Sequence, residues 1–133
     1  VIHDDVNPNG GELAPVAKLS RDVRATAAQL DRDQARELVD LYYRLQEHRI
    51  ALAGQERSLT ADGRPSQVVH HFGEQMFSLE RQMVSVLGKY AQSHEVGRWS
   101  LAPVGVGPVL SAGLLAHIDI ERAPTVGHIW RFA

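Results

Sequence analysis

"DRDQARELVDLYYRLQEHRIALAGQERSL", residues 31 to 59, carries the pattern on which the fold turns. Asp31 followed by Gln34 has the form of a capping box, in which each side chain bonds the other residue's backbone and opens a helix. Beyond it Leu38, Leu41, Leu45, His48 and Leu52 recur at spacings of 3, 4, 3 and 4. That period places them on one stripe of a helix and predicts a seam against a second helix. His48 falls inside the stripe and is expected to be a packed polar residue that fixes register.

The partner helix lies downstream. "TADGRP" at 60 to 65 interrupts the period, and Gly63 and Pro65 predict a turn there. From Ser66 onward Phe72, Met76, Leu79, Met83, Val86 and Tyr90 recur at spacings of 4, 3, 4, 3 and 4. Two such seams joined by a short turn predict a long antiparallel helical hairpin. Each helix is expected to run roughly 25 residues, about 38 Å. That length suits a projecting coiled-coil arm and predicts a homo-oligomer formed through the helical arm. Gly73 and Gly88 are expected to mark close approach or bending, since each costs the helix about 1 kcal/mol relative to Ala. Ahead of the hairpin, "KLSRDVRATAAQL" predicts a short helix with Ser20 as its N-cap.

The remaining segments divide around this arm. Residues 1–15 hold two prolines, two glycines and two asparagines and read as a tail. Residues 16–94 read as the helical region with the hairpin. Residues 95–133 read as a small helical region, truncated at its C-terminus: Val1 is not Met, and "IWRFA" ends without a C-cap. In this last region "RWSLAP" predicts one short helix, "PVLSAGLLAHI" a second, and Pro124 the opening of a third. The expected fold class is all-α.

Composition limits function. The 133 residues are 44% apolar but only 6% aromatic, so the core must be mainly aliphatic. The absence of cysteine excludes disulfides and thiolate chemistry and fits a cytoplasmic location. No apolar run approaches the length of a membrane span. The formal charge of −2 is unlike a uniformly basic nucleic-acid binder, so any phosphate-binding surface must be local.

One local candidate exists. Gly105-Val106-Gly107-Pro108 lies between two apolar segments in the pattern of a helix-hairpin-helix motif. Such a turn needs positive φ, which glycine adopts without cost. Its amides would sit at the N-terminus of the next helix, where the dipole favours an anion. Pro108 suits the first turn, and Ala112 and Gly113 would let the helices approach. Gly105, Val106 and Gly107 are therefore expected to offer backbone N–H groups to a phosphate, with Arg98, Arg122 and Arg131 supplying charge. The expected partner is DNA or RNA, held through its sugar-phosphate backbone without sequence readout. The alternative is an oligomerisation or scaffold module in which the turn is purely structural.

Other clusters yield less. His3, Asp4 and Asp5 read as a solvated terminus. His70, His71 and Glu74 lack a third zinc ligand at a fixed place. His94, His117 and His128 are expected to gather in the C-terminal region. Glu37, Asp40 and Glu47 interleave with arginines as on a wet helix face. No paired-carboxylate active site is visible, and no metal or cofactor is expected.

Residues 96 to 133 resemble the start of the C-terminal domain of the insertion-sequence 110/116/902 family of transposases. The resemblance rests on Gly105-Val106-Gly107-Pro108, then Ser111-Ala112-Gly113-Leu114-Leu115-Ala116, Asp119-Ile120 and Trp130-Arg131-Phe132-Ala133. Residues 31 to 92 are similar to the coiled coil that precedes that domain. The resemblance implies DNA or RNA engagement and mobile-element ancestry. It does not imply cleavage by this segment. The family's RuvC-like nuclease domain has no counterpart before residue 31, and its catalytic serine lies beyond the matched stretch. Ser111 falls inside the helix-hairpin-helix and is not that serine.

Overall fold

The computed structural model describes residues 17–119 and 121–131. The tail at 1–15, with His3, Asp4 and Asp5, lies outside them, as do Ile120, Phe132 and Ala133. The described residues are helical throughout their regular structure, with no strand. Six α-helices follow in order: α1 (Arg21–Thr26), α2 (Arg32–Ala61), α3 (Gln67–Gln92), α4 (Glu95–Leu101), α5 (Pro108–His117) and α6 (Val126–Trp130). A 3₁₀ turn at Ala27–Gln29 joins α1 to α2.

The helix boundaries follow local chemistry. Ser20 Oγ accepts the Val23 amide at 3.1 Å and caps α1. Asp31 Oδ1 accepts the Gln34 amide at 2.8 Å, and Gln34 Oε1 accepts the Asp31 amide at 3.0 Å, so the capping box is complete. Ser66 Oγ accepts the Val69 amide at 3.3 Å and starts α3. Between them α2 ends in a Schellman motif: the Arg64 amide reaches the Leu59 carbonyl at 2.8 Å and the Gly63 amide the Thr60 carbonyl at 3.1 Å. Gly63 takes φ +71°, the left-handed conformation this cap requires. The helix α2 therefore runs on to Ala61, past the Thr60 at which the sequence pattern breaks. In the same way α4 begins at Glu95, ahead of "RWSLAP".

Helices α2 and α3 pack along each other with opposed directions. Leu52 meets Gly73, Glu56 meets His70 at 2.5 Å, and Arg49 meets Glu80. The line of contact takes in only part of the predicted stripes: Leu52 and Tyr90 lie in it. Leu41 is 47% exposed and His48 is exposed, whereas Ala35 and Val39 are buried. On α3, Phe72 is 58% and Leu79 38% exposed, whereas Glu80, Leu87, Tyr90 and Ala91 are buried. Leu41, His48, Phe72 and Leu79 of the stripes lie outside the contact.

His48 is therefore not the buried polar residue of this pair of helices. That place belongs to Glu80, 5% exposed, which accepts hydrogen bonds from Arg49 Nε, from Arg49 Nη2 at 3.1 Å and from Gln46 Nε2 at 3.3 Å. The Glu80 hydrogen bonds raise the Arg49 guanidinium above its ordinary pKa. Burial, with the charge of Glu80 next, raises Tyr42.

The core sits at the other end of the pair, where α5 lies across it. Ala35, Val39, Leu87, Tyr90, Ala112 and Ala116 are buried together, with Leu30, Leu38, Val109 and Leu115 against them. Small residues allow the approach. An added Cβ on Gly88 would stand 3.3 Å from Pro108 Cβ. One on Gly97 would stand 2.0 Å from the Ala91 carbonyl oxygen, so α4 can pass α3 only because that residue is glycine. Gly73 and Gly113 meet nothing closer than 3.7 and 3.8 Å and do not mark such approaches. Arg36 Nη2 bonds the Ala116 carbonyl at 3.2 Å and ties the last turn of α5 to the first turns of α2.

Candidate functional site

The segment between α4 and α5 is open to solvent. Residues 102–105 and Gly107 are exposed, Val104 fully so at 105%. Gly105 has φ +96°, as a tight turn between two helices predicts. Gly107 has φ −87° and ψ 176°, extended backbone open to any residue. Its glycine is not required by conformation, and it caps α5 without a side-chain hydrogen bond. No atom lies within 4 Å of a Cβ placed at either glycine.

The amides divide differently from the sequence expectation. Val106 is half-buried, and its N–H donates to the Pro103 carbonyl at 3.4 Å, inside the turn. The amides of Gly105, Gly107, Val109 and Leu110 have no protein acceptor among the described residues. Pro108, at the first helical position, has no N–H to leave unpaired. The first turn of α5 thus presents a small group of bare donors at the positive end of a ten-residue helix dipole.

Arg98 and Arg122 are placed away from this turn. Arg98 is exposed on α4, but its Nη1 donates to the Gln92 carbonyl at 3.0 Å, closing the end of α3. Arg122 follows α5, whose ten residues put about 15 Å between its two ends. Near it Asp119 pairs with Arg32 at 2.8 Å, at the start of α2. Arg131 follows α6, whose backbone approaches no other helix among the described residues. An exposed lysine that the sequence reading did not single out, Lys89, follows Gly88 on α3, the residue on which Pro108 rests. Only the Gly88–Pro108 packing reveals it, because 19 residues separate Lys89 from Pro108 in sequence.

Ser111 is fully buried, with its Oγ 2.5 Å from Ser100 Oγ and 3.3 Å from the Gly97 carbonyl. It cross-links α5 to α4 behind the turn and positions the bare amides. The histidines of the C-terminal region do not gather. His94 Nδ1 lies 2.9 Å from the Tyr90 carbonyl, His117 lies 3.7 Å from Asp40, and His128 lies 2.6 Å from Thr125. No group of three or more metal-ligating side chains occurs among the described residues. No helix among them is long and apolar enough to cross a membrane.

Comparisons with protein-family models, with curated proteins and with solved structures return no match for this chain.

Proposed function

We infer that the chain is a nucleic-acid-binding segment of the kind suggested by its resemblance to the 110/116/902 transposases. In this reading residues 95–117 act as a helix-hairpin-helix, and α2 with α3 form an antiparallel arm behind it. The bare amides of Gly105, Gly107, Val109 and Leu110 take one backbone phosphate, and Lys89 adds charge beside it. Binding of this type holds a strand without reading its sequence. The observation that carries the reading is the turn itself: a positive-φ glycine and an uncapped helix start stand open to solvent, with Val104 wholly exposed. An N-cap side chain would take one of these donors, and Gly107 has none, so all of them stay free for a ligand.

The test is fluorescence anisotropy with labelled duplex and four-way-junction DNA across a salt series. One or two neutralised phosphates give a slope of log affinity against log salt of about −1 to −2. Lys89→Gln lowers that slope by about one. No binding by the native chain, or an unchanged slope in Lys89→Gln together with unchanged affinity in Gly105→Val, would refute the reading.

A further inference from the structure

A cavity of about 500 Å³ lies beside the C-terminal half of α5, away from the bare amides. Leu30, Val96, Trp99, Leu114 and Ile118 form its apolar walls. Small-molecule pockets run to roughly 300–1,000 Å³, so the volume is ordinary for one. Two polar groups border this cavity and have no hydrogen-bond partner among the described residues. The first is the Tyr90 hydroxyl. Tyr90 is 3% exposed, and its ring is packed in the core with Leu87 and Ala112. Among the described side chains the one atom that is both sealed and unpaired is Arg36 Nε. The unpaired Tyr90 hydroxyl therefore keeps an opening, and Tyr90 lines this cavity. Burial raises its pKa, and the opposed charges of Arg32 and Asp31 act on it less, as they would on a hydroxyl facing these two lining residues. The second group is His94 Nε2. His94 Nδ1 lies 2.9 Å from the Tyr90 carbonyl and 3.1 Å from Ser93 Oγ. The Ser93 hydroxyl already donates to that carbonyl at 2.6 Å, so both neighbours of Nδ1 can only accept. Nδ1 thus carries the ring hydrogen, and Nε2 of the neutral ring is a bare acceptor. The Tyr90 and His94 ring centroids stand 4.7 Å apart, which puts both groups at one end of the cavity.

We propose that this cavity binds a small, uncharged, flat aromatic molecule that carries a hydroxyl group. The ligand hydroxyl accepts from Tyr90 and donates to His94 Nε2, so one group satisfies both unpaired side chains. The ring lies on the indole of Trp99 and against Leu114. These are 74% and 43% exposed, so the ligand removes apolar surface from water. Charge selects against an anion. Arg32, the cation lining the cavity, is already paired with Asp119 at 2.8 Å, and Asp31 adds a second carboxylate. A ligand carboxylate would also meet the lone pair of Nε2 and could donate nothing to it. The site is separate from the turn at 105–107 and stands or falls without any nucleic acid bound there.

Equilibrium dialysis of the native chain against 2-naphthol at neutral pH is expected to give a dissociation constant of about 100 µM or below. Naphthalene, which lacks the hydroxyl, and 2-naphthoate, which is an anion, are each expected to bind about tenfold more weakly or worse. Tyr90→Phe keeps the ring in the core. It is expected to weaken 2-naphthol about tenfold and to leave naphthalene as it was. Trp99→Ala changes an exposed site, so the chain still folds, and it is expected to weaken both probes. Trp130→Ala is the control: Trp130 is 73% exposed but does not line the cavity, and this change is expected to weaken neither. A native chain that takes up no 2-naphthol at about 1 mM overturns the proposal. So does equal affinity for the three probes, an unchanged affinity for 2-naphthol in Tyr90→Phe, or an equal loss in Trp130→Ala and Trp99→Ala.

Discussion

Arg49 of α2 grips Glu80 of α3 through both Nε and Nη2, and Glu80 is 5% exposed. The pair sets the register of two long helices at a level where apolar side chains would allow sliding. A buried carboxylate left without its guanidinium is costly, whereas losing both is close to neutral. We therefore predict that Arg49→Met destabilises the fold by about 3 kcal/mol. Arg49→Met with Glu80→Leu should recover most of that loss. Urea denaturation of the single and double variants checks it. A double variant no more stable than Arg49→Met would show that the pair does more than satisfy itself.

The glycines make a second test. Gly97→Ala pushes a methyl group into the Ala91 carbonyl, 2.0 Å away, and is expected to cost more than about 3 kcal/mol or prevent folding. Gly113→Ala meets only Val39 Cγ1 at 3.8 Å and gains helix propensity of about 1 kcal/mol. Thermal melts of the two variants should shift in opposite directions.

Gly107 allows stability and binding to be separated. Its φ and ψ are those of an N-cap, and its Cβ position is empty. Gly107→Asp is predicted to cap α5 and raise stability by a few tenths of a kcal/mol. The same carboxylate would occupy the bare amides and repel a phosphate, so DNA affinity is predicted to fall at least about tenfold. Loss of stability, or affinity that is kept, would contradict the assignment of these amides.

The acid side of the stability profile should report on Asp119. Burial raises its carboxyl, but the hydrogen bond and charge of Arg32, with the Glu121 and Arg122 amides, outweigh that and hold it below the ordinary carboxylate value. With the folded pKa below the unfolded one, the stabilisation is complete above the unfolded value and is lost as pH falls through the folded value. Asp119→Asn is expected to flatten the urea midpoint between about pH 5 and pH 2. An unchanged slope in that range would exclude the pair as a contributor.

The sequence was most informative where a single local interaction decides the structure. Ser20, the Asp31–Gln34 box and Ser66 each act within three residues, and all four helix-start side chains bond as their spacing implies. The all-helical class followed from the same signals. The direction in which each stripe faces was not legible, because a period of 3 and 4 fixes a flank of one helix but not what lies opposite it. Leu41 and Phe72 look like seam residues on their own helices, yet the chain packs on Val39 and Glu80. The open turn at 105–107 could be anticipated from Gly105 and Pro108. The nearness of Lys89 could not, because only the packing of Gly88 on Pro108 brings that part of α3 to the start of α5. Arg98 looked free in sequence and is engaged at the end of α3.

Pro108 rests on Gly88 with no side chain between them, while Arg36 clamps the far end of α5 to α2. Turn and arm are thereby geared together as one lever. A tilt of about ten degrees imposed at the turn carries Ser66, 22 residues along α3 from Gly88, through roughly 6 Å at 1.5 Å per residue. A displacement imposed at Gly107 is delivered, magnified, at the tip of the arm.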